Sequence, residues 1–285
     1  MTPGSRSGSR DRAPGVAWRL LQTGARPGAW NMGCDEAVLA ALERGAAPAT
    51  LRLYGWSPPA VSLGRHQADP EETAAERLAA LGVDWVRRPT GGRAVWHGLP
   101  EAELTYSVAA RLDAPELAGG LSAAYRRIHE AIAAGLVRLG VAPVLAPPRA
   151  ARMRAVAHRP TSRVACFAAS VPGEILVAGS KLVGSAQRRG RSGLLQHGSI
   201  PLAGDQRVLE EAWPGSLAAG AATTLSAAAG RRIGFAEAAR AVAAGFREVL
   251  GVELEPGELT AAEHAAAEHA AIAAPATERA AHHGV

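Results

Sequence analysis

The sequence predicts an α+β fold, because strand-like segments and amphipathic helices occupy separate stretches of the chain. Between residues 50 and 108, several short segments alternate apolar and polar side chains and are bounded by Gly and Pro. Residues 122–139 carry apolar side chains at helical spacing. After about residue 203 the chain becomes Ala-rich, which favours further helices. At 285 residues the chain can form one sizeable core, or a main domain with a small appendage.

The N-terminal elements are predicted from composition and periodicity. Residues 1–15 are rich in Gly, Ser, Pro and Arg, which predicts a disordered lead. The first strand is predicted at Val16–Gln22. Asn31 is then expected to cap a helix that ends near Gly45, because Asn is a preferred N-cap residue.

The central part predicts strands joined by tight turns, with Gly179-Ser180 as one hairpin turn and one short helix at residues 70–82. In chain order these strands are expected at residues 50–56, 59–67, 84–88, 93–97, 103–108, 163–168, 174–179, 181–187 and 193–202.

Three longer helices are predicted, and they suggest a domain organisation. Helix 122–139 is expected to be capped by Ser122, and another helix is expected near residues 235–250. A third begins at Thr260, where Glu263 completes a capping box. We therefore expect a catalytic domain at 16–225, a helical C-terminal extension at 226–275 and a frayed tail at 276–285.

Charge and cysteine content narrow the classes of partner and compartment. Lys and Arg number 31 against 26 Asp and Glu, and this modest basic excess favours an acidic partner. Aromatic residues make up 4%, and no basic block is interleaved with them, so a nucleic-acid partner is not expected. Two cysteines are too few for a disulfide framework, which indicates a reducing compartment and a cytoplasmic protein. We expect neither a secretory signal nor a membrane-spanning segment.

The first candidate site is the segment from Arg87 to His97, where two strands meet at a Gly91-Gly92 turn flanked by arginines. Glycines let the backbone approach a ligand closely and present free N–H groups. Guanidinium groups such as that of Arg88 can pair with a phosphate or carboxylate. Taken alone, this pattern also fits a solvated surface hairpin.

The second candidate site combines Cys166 with Lys181. Cys166 lies in a predicted strand, where a buried inert thiol is the ordinary interpretation. A neighbouring ammonium group would lower the thiol pKa and increase the thiolate fraction. Lys181 is the only lysine in the chain, and lysine can give up its proton whereas arginine cannot. A surface lysine is the alternative. His197 is interpreted as a hydrogen-bonded structural histidine.

Six sequence segments, taken in order along the chain, link these candidate residues to a known family. The chain contains NMGCDEAVL, LRLYGWSPPAVSLGRHQ, VRRPTGGRAVWH, ELTYSV, CF and GSKLVGSAQRR followed by LLQHGSI. Together, over roughly residues 16–265, they resemble the lipoate/biotin protein ligase superfamily and most closely its LipM-type octanoyltransferases. The resemblance implies a mixed, mostly antiparallel sheet flanked by helices, the fold of biotin and lipoate ligase catalytic domains, related to class II synthetase cores.

The resemblance also implies an activity with two carrier proteins and no cofactor. Cys166 would take octanoate from octanoyl-acyl carrier protein as a thioester, with Lys181 in the same pocket. The product would be an octanoyl amide on a lysine of a lipoyl-carrier protein, such as glycine cleavage protein H or an E2 lipoyl domain. The octanoyl chain would need an apolar slot, lined by residues such as Val95 and Leu182.

Further residues acquire roles from the same resemblance. The resemblance implies a substrate-binding loop that contains Arg88, Gly91, Gly92, Arg93 and His97. It implies that the segment facing this loop contains Gly184, Ser185 and Ala186. The Arg-rich loop at residues 149–163 would suit an acidic carrier, or it is a mobile linker. Residues 98–102 make the segment before Glu103 longer than the family pattern, which puts the geometry of this loop in doubt.

Three alternatives stay open at this stage. An ATP-dependent lipoate–protein ligase, using ATP and Mg²⁺, would share the fold, Lys181 and the Gly loop. Such ligases need no cysteine at position 166 and usually carry a third glycine where Arg93 stands, which favours the transferase. A lipoyl or octanoyl amidotransferase between carrier proteins would also use a cysteine. A non-catalytic carrier-binding protein is disfavoured by the joint presence of Cys166 and Lys181.

Overall fold

The computed structural model describes residues 15–147, 172–216 and 221–274. Within them the strands are β1 Ala17–Arg26, β2 Thr50–Trp56, β3 Ala60–Leu63, β4 Asp84–Arg87, β5 Val95–His97, β6 Glu103–Arg111, β7 Val144–Leu145, β8 Ile175–Val177, β9 Ser180–Lys181, β10 Gly184–Arg189, β11 Gly193–Pro201 and β12 Glu253–Pro256. The α-helices are α1 Gly28–Glu43, α2 Glu72–Ala80, α3 Leu121–Val137, α4 Arg207–Ala212, α5 Leu225–Ala229, α6 Phe235–Leu250 and α7 Ala261–Ala273.

A six-stranded mixed sheet forms the centre of the described structure, with strand order β10-β11-β6-β2-β1-β12. Strand β1 pairs in parallel with β2 and β12, whereas the remaining neighbours in this sheet pair antiparallel. Two three-stranded sheets have the orders β4-β3-β5 and β7-β8-β9. The predicted α+β fold with a mixed, mostly antiparallel sheet is therefore confirmed.

Helices cover both faces of the central sheet. On one face α3 and α6 pack against β2, β6 and β11 around the main hydrophobic core, which includes Leu53, Ile128 and Phe246. On the other face α1 packs against α7 and contributes Cys34 and Leu39 to a smaller apolar cluster. Because successive strand residues point to opposite faces, neighbours in β6 and β11 serve different layers.

The segment after residue 226 contributes to the same sheet and layers. Strand β12 pairs with β1, and Arg19 in β1 donates two hydrogen bonds to the Glu263 carboxylate of α7, at 2.9 and 2.7 Å. The predicted capping box of Thr260 and Glu263 is present. The predicted domain boundary at residue 225 stays a prediction. None of the described helices has the length and apolar composition needed to cross a bilayer.

Two predicted helix caps are wrong. Helix α1 begins at Gly28, so Asn31 lies within its first turn, and its side chain donates to the carbonyls of Arg26 and Gly55 at 3.0 Å each. Asn31 thus ties the helix to β1 and β2 and does not cap it. Helix α3 begins at Leu121, directly after Gly120, and Ser122 provides no side-chain cap.

Turns and pairings also differ from expectation around the candidate site. The strands on either side of Gly91-Gly92 do not pair with each other, because β3 lies between β4 and β5. The segment 181–187, predicted as one strand, is divided between β9 and β10. The hairpin turn before it is Ala178-Gly179, since Val177 pairs with Ser180.

Candidate active site

A cleft of about 350 Å³ lies where α1, the strand pair β10–β11 and the strand β5 meet. Six residues proposed from the sequence line it, together with eight others. The lining residues are Met32, Tyr54, Trp56, Ser62, Arg88, Val95, His97, Thr105, Gly184, Ser185, Ala186, His197, Gly198 and Ser199.

Arg88 holds the glycine loop in place. Its guanidinium donates to the carbonyl oxygens of Ser62, Gly91 and Arg93 and to Ser62 Oγ, at 2.7 to 3.1 Å. The loop also packs directly on Gly64, where an added Cβ would overlap with the Gly92 carbonyl oxygen. Gly91, Gly92 and Arg93 are therefore fixed beside the cleft by Arg88, although they do not line it.

His97 belongs to a buried hydrogen-bonded series on the cleft wall. Its Nδ1 atom lies 2.7 Å from Glu103 Oε1, and its Nε2 atom lies 2.8 Å from Ser62 Oγ. The ring stacks on the Trp56 ring, with centroids 3.9 Å apart and planes within 10°. Because a carboxylate only accepts hydrogen bonds, Nδ1 carries a proton and donates it to Glu103.

His197 is held on the opposite wall by an acid and an alcohol. Its Nδ1 atom donates to Asp35 Oδ2 at 2.9 Å, and its Nε2 atom lies 2.6 Å from Thr90 Oγ1. Burial lowers the pKa of His197, and the hydrogen bond that His197 donates to Asp35 only partly offsets this. The ring is thus neutral at pH 7 and accepts the Thr90 hydroxyl proton, which fixes the start of the glycine loop to β11.

Asp35 is the centre of the polar layer beneath α1. Its carboxylate accepts hydrogen bonds from Arg52, Tyr54 and Ser107 as well as from His197. Burial alone would raise the pKa of Asp35, but the Arg52 charge and these donors outweigh it and keep the pKa below its ordinary value. The carboxylate is therefore ionised, and the layer holds His197 in one tautomer.

The β10 wall contains Gly184, Ser185 and Ala186, as the sequence predicts. The Ser185 hydroxyl lies 2.7 Å from the Tyr106 hydroxyl and 2.8 Å from His129 Nε2. Gly198 is the register partner of Ser185, and a Cβ at Gly198 would overlap with Ser185 Oγ. The glycine therefore provides the space in which the hydroxyls of Ser185 and Tyr106 meet.

His129 supports Ser185 from within helix α3. Its Nδ1 atom lies 2.7 Å from the Gly173 carbonyl oxygen, so Nδ1 carries the proton and Nε2 is an acceptor. Burial lowers the pKa of His129 to about 4, against the raising effect of the Gly173 hydrogen bond, and the Lys181 charge lowers it further. His129 is accordingly neutral at pH 7.

Lys181 is buried behind this wall and is not among the residues that line the cleft. Its Nζ atom donates to Glu174 Oε1 at 2.7 Å. Cys166 and the Arg-rich segment 149–163 lie outside the described residues, so the meeting of Cys166 with Lys181 stays a prediction. Of the two residues expected to line an acyl slot, Val95 lines the cleft and Leu182 is buried in the main core.

Ser199 brings an unsatisfied polar atom to the cleft. It is 2% exposed, and its Oγ atom is buried without a hydrogen-bond partner in the part of the chain that the structure describes. A buried hydroxyl of this kind is costly unless a ligand or water completes it. Ser199 is therefore a candidate contact for a polar group of a bound molecule.

The lengthened segment at residues 98–102 borders a second, wider groove of about 1420 Å³. Ala102 donates its amide to the Leu99 carbonyl at 2.8 Å, so the extra residues close a local turn. After this turn the chain reaches Glu103, whose carboxylate contacts His97. The extra length is therefore compatible with the cleft.

Several functional candidates were missed in the sequence, because only the fold brings them together. From the sequence, no site role is proposed for Asp35, Ser62, Glu103, His129 or Glu174. His129 did carry a signal, since it is a polar residue beside the apolar stripe of α3. The others had no local signal that separates them from ordinary strand or turn residues.

The sequence of this chain matches a known family of proteins. Residues 27–247 match the family described as the lipoyl protein ligase A/B catalytic domain. The octanoyltransferase LipM of Kyrpidia tusciae is 43% identical over 255 residues, which cover 86% of this chain and 91% of that protein.

Two solved structures share the fold. A lipoate-protein ligase A bound with ATP superposes with a TM-score of 0.73 at 20% identity, covering 94% of this chain and 99% of that chain. A bi-partite lipoate protein ligase from Thermoplasma acidophilum, described with its E2 lipoyl domain, gives 0.64 at 19% identity, covering 89% and 91%. At such identities these two structures show the fold alone.

Proposed function

The chain belongs to the lipoyl protein ligase A/B catalytic-domain family and is an octanoyltransferase, and we propose that it carries the octanoyl group as a thioester on Cys166. The acceptor is proposed to be a lysine of a lipoyl-carrier protein. The observation that carries this proposal is the 43% identity to an octanoyltransferase over nearly the whole chain.

The cleft suits one medium-length acyl chain. Met32, Tyr54, Trp56 and Val95 give it apolar walls, and Ser199 supplies a hydroxyl with no hydrogen-bond partner among the described residues. Burying the methylenes of the chain against such walls stabilises the complex by about 0.8 kcal/mol per methylene. We assign the octanoyl chain to this cleft.

The properties of Cys34 support Cys166 as the nucleophile. The chain has two cysteines, and Cys34 is fully buried among apolar residues. Burial raises the pKa of the Cys34 thiol to about 11, although the Arg52 charge opposes this. Since the thiolate is the reactive species, Cys34 is unsuited to nucleophilic attack and Cys166 is the thiol that remains.

The proposed reaction has two half-reactions and consumes no ATP. In the first, the Cys166 thiolate attacks the octanoyl thioester of the donor, and the donor thiolate leaves. In the second, the acceptor lysine amine attacks the new thioester, a C–N bond replaces the C–S bond, and the Cys166 thiol is regenerated. Backbone N–H groups near Gly92 or Gly184 are proposed to hold the oxyanion. No metal or cofactor is proposed.

The proposed partners are two carrier proteins. The family implies a lipoyl-domain protein as acceptor, and we propose glycine cleavage protein H or an E2 lipoyl domain. Octanoyl-acyl carrier protein is proposed as the donor. The chain has 31 Lys and Arg against 26 Asp and Glu, and this basic excess suits an acidic donor protein and an acidic acceptor protein. A chain with two cysteines suits a reducing compartment, and we propose the cytoplasm.

The function is tested by supplying each class of donor separately. The protein is incubated with an apo lipoyl domain and either octanoyl-acyl carrier protein without ATP, or free octanoate with ATP and Mg²⁺. We expect amide-linked octanoate on the domain in the first mixture only. Product in the second mixture only would establish the ligase. Transfer from an octanoylated glycine cleavage protein H, but not from acyl carrier protein, would establish an amidotransferase.

A further inference from the structure

The polar side chains that line the cleft differ in whether their hydrogen-bond donors already have acceptors in the protein. Arg88 uses its N–H groups on backbone carbonyls of the glycine loop and of Ser62, and on Ser62 Oγ. Tyr54 donates its hydroxyl proton to Asp35 Oδ2 at 3.0 Å. Each N–H or O–H group donates one proton, so these two side chains are already engaged within the protein.

The donors around Trp56 are engaged in the same way. Trp56 Nε1 donates to Thr105 Oγ1 at 2.8 Å, and Thr105 donates to Glu103 Oε1 at 2.6 Å. His97 Nδ1 donates to the same carboxylate oxygen at 2.7 Å. Nε2 of the neutral His97 ring is then an acceptor, and Ser62 Oγ donates to it at 2.8 Å. This wall therefore offers no further side-chain donor to a bound molecule.

The donors on the β10–β11 wall have acceptors as well, with one exception. His197 donates from Nδ1 to Asp35, and its Nε2 atom is an acceptor. His129 donates from Nδ1 to the Gly173 carbonyl, so its Nε2 atom accepts the Ser185 hydroxyl proton at 2.8 Å. The hydroxyl of Ser199 is the exception.

Ser199 lies in β11 between Gly184 of β10 and Thr105 of β6. Paired residues of neighbouring strands point to the same face of a sheet, but Gly184 has no side chain and Thr105 has already donated its proton to Glu103. Ser199 Oγ is accordingly buried without a partner among the described residues. Of the lining residues, which all lie in the described part of the chain, Ser199 alone carries an uncommitted side-chain donor.

We propose that Ser199 donates this proton in a hydrogen bond to the carbonyl oxygen of the bound octanoyl group. An octanoyl group has one polar atom, its carbonyl oxygen, and that atom only accepts hydrogen bonds. A cleft with one uncommitted hydroxyl among engaged side chains is complementary to such a group. This inference rests on the proposed function, which assigns the octanoyl chain to this cleft, and it deepens that function by naming the contact of the acyl carbonyl.

The hydrogen bond orients the acyl group as well as holding it. A buried hydroxyl without a partner destabilises the unliganded protein, and a ligand oxygen that completes the bond recovers this loss on binding. With the carbonyl at Ser199 on β11, the methylenes lie against the apolar walls that include Trp56 and Val95. Ser199 is therefore a substrate-binding residue that sets the orientation of the acyl group.

The test measures binding in a protein that cannot form the proposed thioester, the full-length Cys166→Ala variant. Two ligands are compared by titration calorimetry. One is S-octanoyl-N-acetylcysteamine, and the other is the thioether S-octyl-N-acetylcysteamine, in which a methylene replaces the carbonyl. Both are titrated into this variant with Ser199 present and with Ser199→Ala added. The pair of ligands isolates the carbonyl oxygen, and the pair of proteins isolates the hydroxyl.

A matched control uses a serine outside the cleft. Ser226 Oγ accepts a hydrogen bond from the Ile233 amide at 3.0 Å, and Ser226 is not part of the cleft wall. Ser226→Ala in the same background should leave both dissociation constants unchanged. Urea midpoints of all variants establish that each protein is folded under the conditions of the titration.

The expected result is a dissociation constant for the thioester that rises about tenfold in Ser199→Ala, as for the loss of one hydrogen bond, and an unchanged constant for the thioether. An equal loss for both ligands would show that Ser199 only shapes the cleft. Unchanged thioester binding would show that the carbonyl is held elsewhere. Either result overturns the proposal.

Failure of the proposed function is read separately from this binding. If the Cys166→Ala protein binds neither ligand, the octanoyl chain does not occupy this cleft, and the inference is overturned together with that assignment. If the native chain transfers no octanoyl group but the thioester binds selectively through Ser199, the function fails and the contact with Ser199 is supported.

Discussion

The Nζ atom of Lys181 lies 2.7 Å from Glu174 Oε1, and both side chains are at most 3% exposed. The chain thus places its only lysine in a buried ion pair on the segment that leads into the β10 wall of the cleft. Such a pair tolerates joint replacement far better than the loss of one partner, because one partner alone is an uncompensated buried charge.

Removing Glu174 alone should therefore be costly for folding. We expect Glu174→Ala to lower the free energy of unfolding by about 3 to 5 kcal/mol. The double variant Glu174→Leu with Lys181→Met should recover much of this loss while remaining inactive in octanoyl transfer. Urea denaturation of the three proteins measures the difference. A double variant that is less stable than Glu174→Ala would contradict the account of the pair.

The packing of the glycine loop on β3 gives a second prediction. An added Cβ at Gly64 overlaps with the Gly92 carbonyl, whereas one at Gly91 has no neighbour within 4 Å. Gly64→Ala should cost about 2 kcal/mol or more, because backbone must move to relieve the overlap. Gly91→Ala is the matched control and should cost less than about 1 kcal/mol. Equal stabilities in urea would show that the loop does not rest on Gly64.

The buried neutral histidines predict a stability that declines in mild acid. Unfolded His129 takes up a proton near pH 6.5, but burial holds its folded pKa at about 4. Between these values the unfolded chain binds more protons, so stability falls as the pH is lowered, by roughly 3 kcal/mol in total from this residue. The pKa of His197 is lowered in the same direction and adds to the decline.

Urea titrations between pH 4.5 and 7.5 measure this decline. His129→Gln should reduce its slope by about one proton, since one titrating group is removed. His269→Gln changes an exposed histidine and is the control variant. An unchanged slope in His129→Gln would mean that folding does not lower the pKa of His129.

The unpaired hydroxyl of Ser199 predicts a stabilising substitution. Ser199→Ala removes a buried polar atom that has no partner among the described residues, so the free energy of unfolding should rise by about 1 kcal/mol. Ser107→Ala is the opposite case, because Ser107 Oγ donates to Asp35 at 2.7 Å, and it should be destabilising. If Ser199→Ala is destabilising as well, a bound water already satisfies the hydroxyl.

Local signals were sufficient for most elements of the fold. The alternation in ELTYSV predicted β6, the strand expected at residues 193–202 is β11, and the capping box at Thr260 predicted the start of α7. The errors at Asn31 and Ser122 share one cause. Both residues have the side chain of a good N-cap, but that preference alone does not set a helix start, and the helices begin earlier, after Pro27 and Gly120.

The sequence predicted only part of the site. Arg88, His97 and Ser185 lie in segments that carry the family resemblance, and the structure brings them to one cleft. Asp35 and His129 reach that cleft through partners 162 and 56 residues away, namely His197 and Ser185. No spacing rule along the chain connects such positions, so only the sheet register reveals them.

The thioester on Cys166 is tested most directly by intact-protein mass spectrometry after incubation with octanoyl-acyl carrier protein and no ATP. Three proteins are compared: the native chain, Cys166→Ala and Cys34→Ala. The account predicts one hydroxylamine-labile octanoyl group on the native chain and on Cys34→Ala, and none on Cys166→Ala. An octanoyl group that persists in Cys166→Ala, or that is absent from the native chain while the lipoyl domain is still octanoylated, would contradict it.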